Sequence, residues 1–325
     1  YVSFFPQLIA GPIIRYHTIA AQLEKRQVTF DLFISGIKRF ILGLGKKVLI
    51  ANTVAVTVDK IFAIPLQDLT TPLIWLGVLC YTIQIYFDFS GYSDMAIGLG
   101  RMFGFDIPEN FNYPYIAKSI QDFWRRWHIS LSSWFRDYLY IPLGGNRVGD
   151  LRLYTNLFIV FILCGFWHGA SWHFLAWGFY YGFFLALERW KLSAILENIW
   201  LPLQHLYALL IILMGWAIFR ADNLQKGLYY LKSMYGLTPQ GTNDMYFIQQ
   251  YFTYDFLLAL TAGILFSLPI LAIIKKLFEK TAFPRPALIM TSYAFFEVIF
   301  LITVFFASIV VLASNSYTPF IYFRF

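Results

Sequence analysis

Charge is scarce in this chain. Lys, Arg, Asp and Glu together make up 13% of its 325 residues, against about 25% in a soluble domain of ordinary composition. With 59% hydrophobic and 21% aromatic residues, too little polar surface is available to cover a water-soluble fold, which excludes an ordinary soluble domain. Cysteine is nearly missing. Cys80 and Cys164 are the two present; both sit in apolar runs as small buried hydrophobes, and no disulfide framework follows. No GxSxG elbow exists for a serine hydrolase. No HExxH pair and no acid stands beside the histidines of WHGASWH, so no metal site is expected. Internal repeats and low-complexity tracts are lacking as well. The chain starts at Tyr1 with neither an initiator Met nor a signal peptide. It is expected to be the later part of a longer protein whose first membrane helices lie upstream.

What is there instead is a set of long apolar runs. Leu288 to Ala313, with Glu297 its only charge, exceeds the roughly 20 residues a bilayer span requires. Phe256 to Ile274, Leu203 to Phe219, Pro72 to Phe89 and Trp172 to Leu187 come close to that length. The expected fold class is all-α, a polytopic integral membrane protein with the lipid bilayer as its first partner. The net charge is +7, clustered at Lys46 and Lys47, from Arg125 to Arg152, at Arg189 and Lys191, and from Lys275 to Arg285. Basic loops beside spans mark the cytoplasmic side, which accounts for them better than nucleic-acid binding does. A single membrane domain over 1–325 is expected.

In YVSFFPQLIAGPIIRY, Pro6, Gly11 and Pro12 argue for a broken or interfacial segment. Phe30 to Phe62 is helix-like but carries Lys38, Arg39, Lys46 and Lys47. It is expected at the interface or with a charged face, rather than crossing as a simple span. IPENFNYPY reads as a turn-rich loop. From Ser119 to Tyr140, SIQDFWRRWHISLSSWFRDYLY has Trp124, Trp127, His128, Leu131, Trp134, Phe135 and Tyr138 at helical spacing. One helix with an aromatic face and a basic face is therefore expected. Leu153 to Trp167 supplies only about 15 apolar residues, fewer than a full span, before His168-Gly169-Ala170-Ser171 breaks it. That run is expected to stop inside the membrane or at its edge, with His168 on the floor of a cavity. The re-entrant and interfacial region is placed at about 107–173.

Ionisable residues inside membrane segments are functional candidates by default. A buried histidine is often only a hydrogen-bonded structural residue. Here the membrane setting, the helix break and a second histidine on the aromatic stripe favour chemistry at His168 and His128. His173 falls near the opposite face and is accounted for by interfacial anchoring; His17 and His205 sit at polar boundaries. A neutral imidazole suits general-base catalysis, taking a proton from an acceptor hydroxyl or thiol during attack on an acyl thioester. Asp88 and Asp94 either line a polar pathway or tie two helices together, the second being favoured. Arg125 and Arg126 suit topology and lipid headgroups, and could also meet donor phosphates.

YVSFFPQLIAGPIIRY, QIYFDFSGYSDMAIGLGRMFGF, NFNYPY, DFWRRWHISLSSWFRDYLYIPLGGN, GFWHGASWHF and the final TPFIYFRF all resemble the membrane-bound O-acyltransferase family, in its bacterial alginate O-acetyltransferase branch. The resemblance runs over essentially the whole chain. It implies a ring of transmembrane and re-entrant helices around a central funnel. It implies that His168 of WHG matches the family's near-invariant histidine and His128 of WHISLS its second functional position, the expected catalytic pair; Trp124, Arg125, Trp127, Asp88 and Asp94 are further candidates along the substrate or donor path. It further implies an acyl-thioester donor such as acetyl-CoA as substrate with no bound cofactor, and the bacterial inner membrane as location. An extracytoplasmic acetyltransferase and polysaccharide assembly proteins are the implied partners. Within the family the alternative is D-alanyl transfer to teichoic acid from a carrier protein. From another class the rival is a proton-coupled transporter, whose inverted repeats are not seen here.

One tension accompanies this reading. If Arg125 to Arg152 is cytoplasmic, a complete crossing after it carries His168 about 20 Å away from the side of His128. A shared site requires the His128 helix to dip inward, the run to Trp167 to stop partway, or both. Both are expected.

Overall fold

The computed structural model describes residues 4–8, 11–239, 245–270, 273 and 287–314, with the backbone alone for 287–293. Every regular element among the described residues is helical. This is the all-α class expected of a chain whose backbone polar groups must be satisfied within each segment. Among these residues five helices are long and apolar enough to cross a membrane: Phe30–Phe62, Thr71–Met102, Asp150–His168, Leu201–Arg220 and Ala294–Ser314. The Pro72 to Phe89 run lies inside a 32-residue helix that continues through the SGYSDMAIGLG stretch to Met102. Trp172–Leu187 forms a shorter, 16-residue helix. The run starting at Phe256 is helical as Tyr254–Phe266; its expected end at Ile274, the basic cluster Lys275 to Arg285 and the terminal TPFIYFRF lie outside the described residues.

Two helices are longer than their apolar runs suggest. Phe30–Phe62 is one continuous 33-residue helix long enough to cross, with a π-helical turn at Lys46–Ala51. Its basic residues are carried by ion pairs: Lys38 with Glu297 at 2.8 Å, Arg39 and Lys46 with Asp94 at 2.6 Å each, and Lys47 with Asp88. Pairing lessens the need for these charges to face water, and the charged face of the helix is the one turned to Asp88, Asp94 and Glu297. The run expected to stop short is likewise a 19-residue helix, Asp150–His168, about 28 Å long. It begins with a polar turn at Asp150 and Arg152 that an apolar count overlooks.

The chain divides into two compact units. Described residues of the first come from Tyr1–Thr53, Gln84–Glu109 and Leu258–Arg324, those of the second from Val54–Ile83 and Asn110–Leu257. In the first unit, Gly36 meets Gly98 and Gly43 meets Gly91 so closely that a Cβ on any of the four would strike the facing backbone. This contact between small residues brings the Asp94 carboxylate within reach of Arg39 and Lys46. In the second unit, Asp150–His168 and Trp172–Leu187 form a hairpin across the short Gly169–Ser171 link. A Cβ on Gly165 would overlap the Phe174 carbonyl, and one on Gly178 the Phe161 carbonyl. The Leu201–Arg220 helix packs against this hairpin and ends at Arg220, which pairs with Asp59 at 3.3 Å.

Candidate active site

The expected single helix from Ser119 to Tyr140 is broken at His128. Ile120–Arg126 is one helix, Trp127 is extended, His128 takes left-handed angles (φ 44°, ψ 55°), and Ile129–Phe135 resumes before a π-helical turn at Arg136–Tyr140. The loop from Asn110 supplies the cause. Asn112 N–H donates to the Arg126 carbonyl at 2.9 Å, and Ile129 N–H donates to the Asn110 carbonyl at 2.9 Å. Asn110 is wholly buried (0% exposed). Its side-chain Oδ1 accepts from Ser130 N–H at 3.2 Å and from Ser130 Oγ at 2.9 Å, and lies 3.1 Å from His128 Nδ1. Tyr113 and His128, the two non-glycine residues with positive φ among those described, both belong to this loop and break. Such backbone costs about 1–3 kcal/mol per residue and persists only where surrounding bonds hold it.

Trp124 and Trp127 keep their inward face despite the break. Trp127 meets Trp216 at 4.9 Å between ring centroids, and Trp124 meets Tyr181 at 5.0 Å and Trp177 at 5.7 Å. Trp134 and Tyr138, past the break, are exposed rather than on that face.

His168 is the last residue of its helix. Its ring is walled by Trp167 (4.9 Å), Phe219 (5.0 Å) and Trp177 (5.2 Å). The Trp167 indole also stands edge-on to His128 at 6.4 Å, so one indole borders both imidazoles. Farther along, Asn156 Nδ2 donates to the Leu143 carbonyl at 3.1 Å. The stretch from His128 to Leu143 therefore runs back beside the Asp150–His168 helix, from its Trp167 end toward its first half. The helix to His168 runs unbroken, and the returning stretch brings His128 to the same end of it, as a shared site requires. His128 is 4% exposed. Burial first, and the neighbouring His168 second, hold its pKa well below the ordinary imidazole value, which keeps the ring neutral.

The remaining candidates fall elsewhere. Asp88 and Asp94 belong to the first unit, where they hold the ion pairs to Lys47, Arg39 and Lys46. Arg125 is exposed, while Arg126 pairs with Asp122 at 2.8 Å. His173, expected at an interface, is buried with Nδ1 2.8 Å from Ser171 Oγ. His205 Nδ1 lies 3.1 Å from the Ala117 carbonyl. Among the described residues no three His, Cys, Asp or Glu side chains converge as metal ligands.

Two residues that sequence reasoning passed over hold the site together. Asn110 is one. Glu188 is the other: 2% exposed, it accepts from Ile120 N–H at 2.6 Å, Gln121 N–H at 2.9 Å and the Tyr207 hydroxyl at 3.1 Å. It thereby anchors the start of the helix that leads into His128. Burial pushes its pKa up, and the two N–H groups and the hydroxyl pull it back. A Glu directly after the Trp172 to Leu187 apolar run is the available signal, but Arg189 and Lys191 beside it give it the look of a polar boundary.

The profile described as MBOAT, membrane-bound O-acyltransferase family, matches residues 1–230, a range that holds Asn110, His128, His168 and Glu188. The chain is 49% identical over 246 residues to the protein named Probable alginate O-acetylase AlgI of Azotobacter vinelandii, covering 75% of this chain and 49% of that one. It is 46% identical over 253 residues to the peptidoglycan O-acetyltransferase of Helicobacter pylori, covering 73% and 46%. With the teichoic acid D-alanyltransferase of Bacillus subtilis it shares 32% identity over 209 residues, covering 59% and 52%. The chain thus spans about half the length of these curated relatives. A profile that takes in both histidines, the loop that breaks the helix between Trp127 and Ile129 and most of the apolar helices leaves one assignment: the chain belongs to the membrane-bound O-acyltransferase family.

Proposed function

We propose that this chain is the catalytic part of an enzyme of the bacterial inner membrane that moves an acetyl group from a cytoplasmic thioester, acetyl-CoA, toward O-acetylation of an extracellular polysaccharide of the alginate kind. The observation that carries the reading is the Trp167 indole bordering His168 and His128 together. The relatives named as alginate O-acetylases, near 50% identity, favour acetyl as the group and a polysaccharide as the acceptor. The D-alanyltransferases are more distant at 32% and 30%. An extracytoplasmic acetyltransferase and polysaccharide assembly proteins are the partners in this reading.

In the proposed step a ring nitrogen of His168 takes the proton of the acceptor hydroxyl. The oxygen attacks the thioester carbonyl carbon, the C–S bond breaks, and the departing thiolate recovers the proton from the imidazolium as a thiol. His128 orients a reacting group, and the aromatic wall keeps water from competing. Trp124 and Trp127 line that wall, and Arg125 meets donor phosphates at the basic edge.

The test replaces His168 with Ala in the full-length protein and measures polymer acetylation and membrane abundance. Acetyl transfer should fall by about 10²–10⁴-fold with abundance unchanged. Normal acetylation would sink the assignment, and solute movement without acyl transfer would favour a transporter.

A further inference from the structure

The side chain that faces His128 Nδ1 decides what His128 is able to do. Ser130 N–H is a backbone group and can only donate, so the Asn110 amide atom 3.2 Å from it is the oxygen. Turning the amide over would set its NH₂ against that N–H, donor against donor, in a buried site. The same Oδ1 is 3.1 Å from His128 Nδ1. A lone pair on Nδ1 would there face the lone pairs of Oδ1, whereas a proton on Nδ1 makes a hydrogen bond. Ser130 Oγ, 2.9 Å from Oδ1 and 3.4 Å from Nδ1, donates to the nearer oxygen and leaves Nδ1 to do the same. Asn110 and Ser130 are both buried, so water does not readily replace either bond.

We propose that Asn110 is a positioning residue that fixes His128 as the Nδ1–H tautomer, placing the imidazole lone pair on Nε2. A neutral ring in that state accepts a hydrogen bond through Nε2 and cannot donate one there. His128 then meets a reacting group only as a hydrogen-bond acceptor at Nε2, leaving the transferred proton to His168, and it does not polarise the acyl carbonyl by donation. The left-handed backbone at His128 serves the same end, because Ile129 N–H and Ser130 N–H both bond to Asn110 only across that turn. This role of His128 rests on the acyltransferase reading; the tautomer does not.

The decisive measurement is ¹⁵N solid-state NMR of the full-length protein in lipid, with ¹⁵N-labelled histidine and the His128 signals assigned by their loss in His128→Gln. A protonated, pyrrole-type Nδ1 with an unprotonated, pyridine-type Nε2 is expected. The reverse pattern overturns the proposal whatever the activity. Asn110→Leu should release the tautomer preference and lower kcat by about a hundredfold, the scale of one acid–base group. Asn110→Asp keeps the acceptor and should retain the Nδ1–H pattern, a spectroscopic signature that a merely structural role would not tie to the acceptor at this position; its loss in that variant would count against Asn110 as the cause. If Asn110→Leu does not fold, the wild-type spectrum and Asn110→Asp still decide. An intact tautomer pattern with His168→Ala fully active would defeat the acyltransferase reading and leave this inference standing.

Discussion

At the scale of residues, the left-handed turn at His128 carries two consequences. Any L side chain at φ 44° is strained, and glycine is the residue that relieves it. His128→Gly and His128→Ala both remove the imidazole and its bond to Asn110, so both should lose transfer activity. The glycine variant should nonetheless unfold at higher temperature, by about 1 kcal/mol of stability; equal melting in detergent would contradict the strain. The second consequence concerns pH. His128 is held well below the ordinary imidazole value by burial and by His168. Between that lowered value and about 6.5 the unfolded chain binds a proton that the folded chain refuses, so stability rises with pH across this window. Its contribution is complete above about 6.5 and is lost as pH falls toward the lowered value, a slope that unfolding midpoints from pH 7 to 4 should reveal and that His128→Gln should flatten. His128 and His168 stood out in the sequence because ionisable groups in apolar stretches are rare. Asn110 did not, because an Asn in NFNYPY is indistinguishable from an ordinary turn former.

At the scale of elements, the hairpin of Asp150–His168 and Trp172–Leu187 depends on what glycine leaves out. In an isolated helix, replacing Gly with Ala is stabilising by roughly 0.5–1 kcal/mol. At Gly178 the sign should reverse, since a Cβ there overlaps the Phe161 carbonyl. Gly178→Ala is expected to cost about 1–3 kcal/mol, read as a lower melting temperature, and a rise would refute the close approach. Helical spacing correctly put Trp124 and Trp127 on an inward face, and the Gly169–Ser171 link was legible as a stop. The break at His128 escaped detection because hydrophobic period registers side-chain spacing. The bonds that end Ile120–Arg126 come from Asn110 and Asn112, more than a dozen residues away. Asp150–His168 was read too short for a related reason: Asp150 and Arg152 add helical turns without adding apolar residues.

At the scale of the whole molecule, the two units draw on different interactions. Rings around Trp124, Trp177 and Trp216 fill the second, whereas the first relies on close glycine contacts and on Asp94, whose side chain is 8% exposed and bridges Arg39 and Lys46. Replacing Asp94 with Leu takes from Lys46 its carboxylate at 2.6 Å and leaves Arg39 with Glu109 alone, and should cost up to about 3 kcal/mol, visible as loss of monodisperse protein on size-exclusion chromatography. Recovery of normal behaviour in that variant would show that the ion pairs are dispensable. Composition and the lengths of apolar runs by themselves determined that this is an all-helical membrane protein, because in hydrocarbon each segment must bond its own backbone and counting residues suffices. Only the tertiary structure decided which charges are paired, that the Phe30–Phe62 helix is long enough to cross, and that His128 and His168 share the Trp167 indole. Those outcomes depend on partners far away in the chain, Asp94 for Arg39, Asn110 for Ser130 and Glu188 for Ile120, which no local pattern encodes.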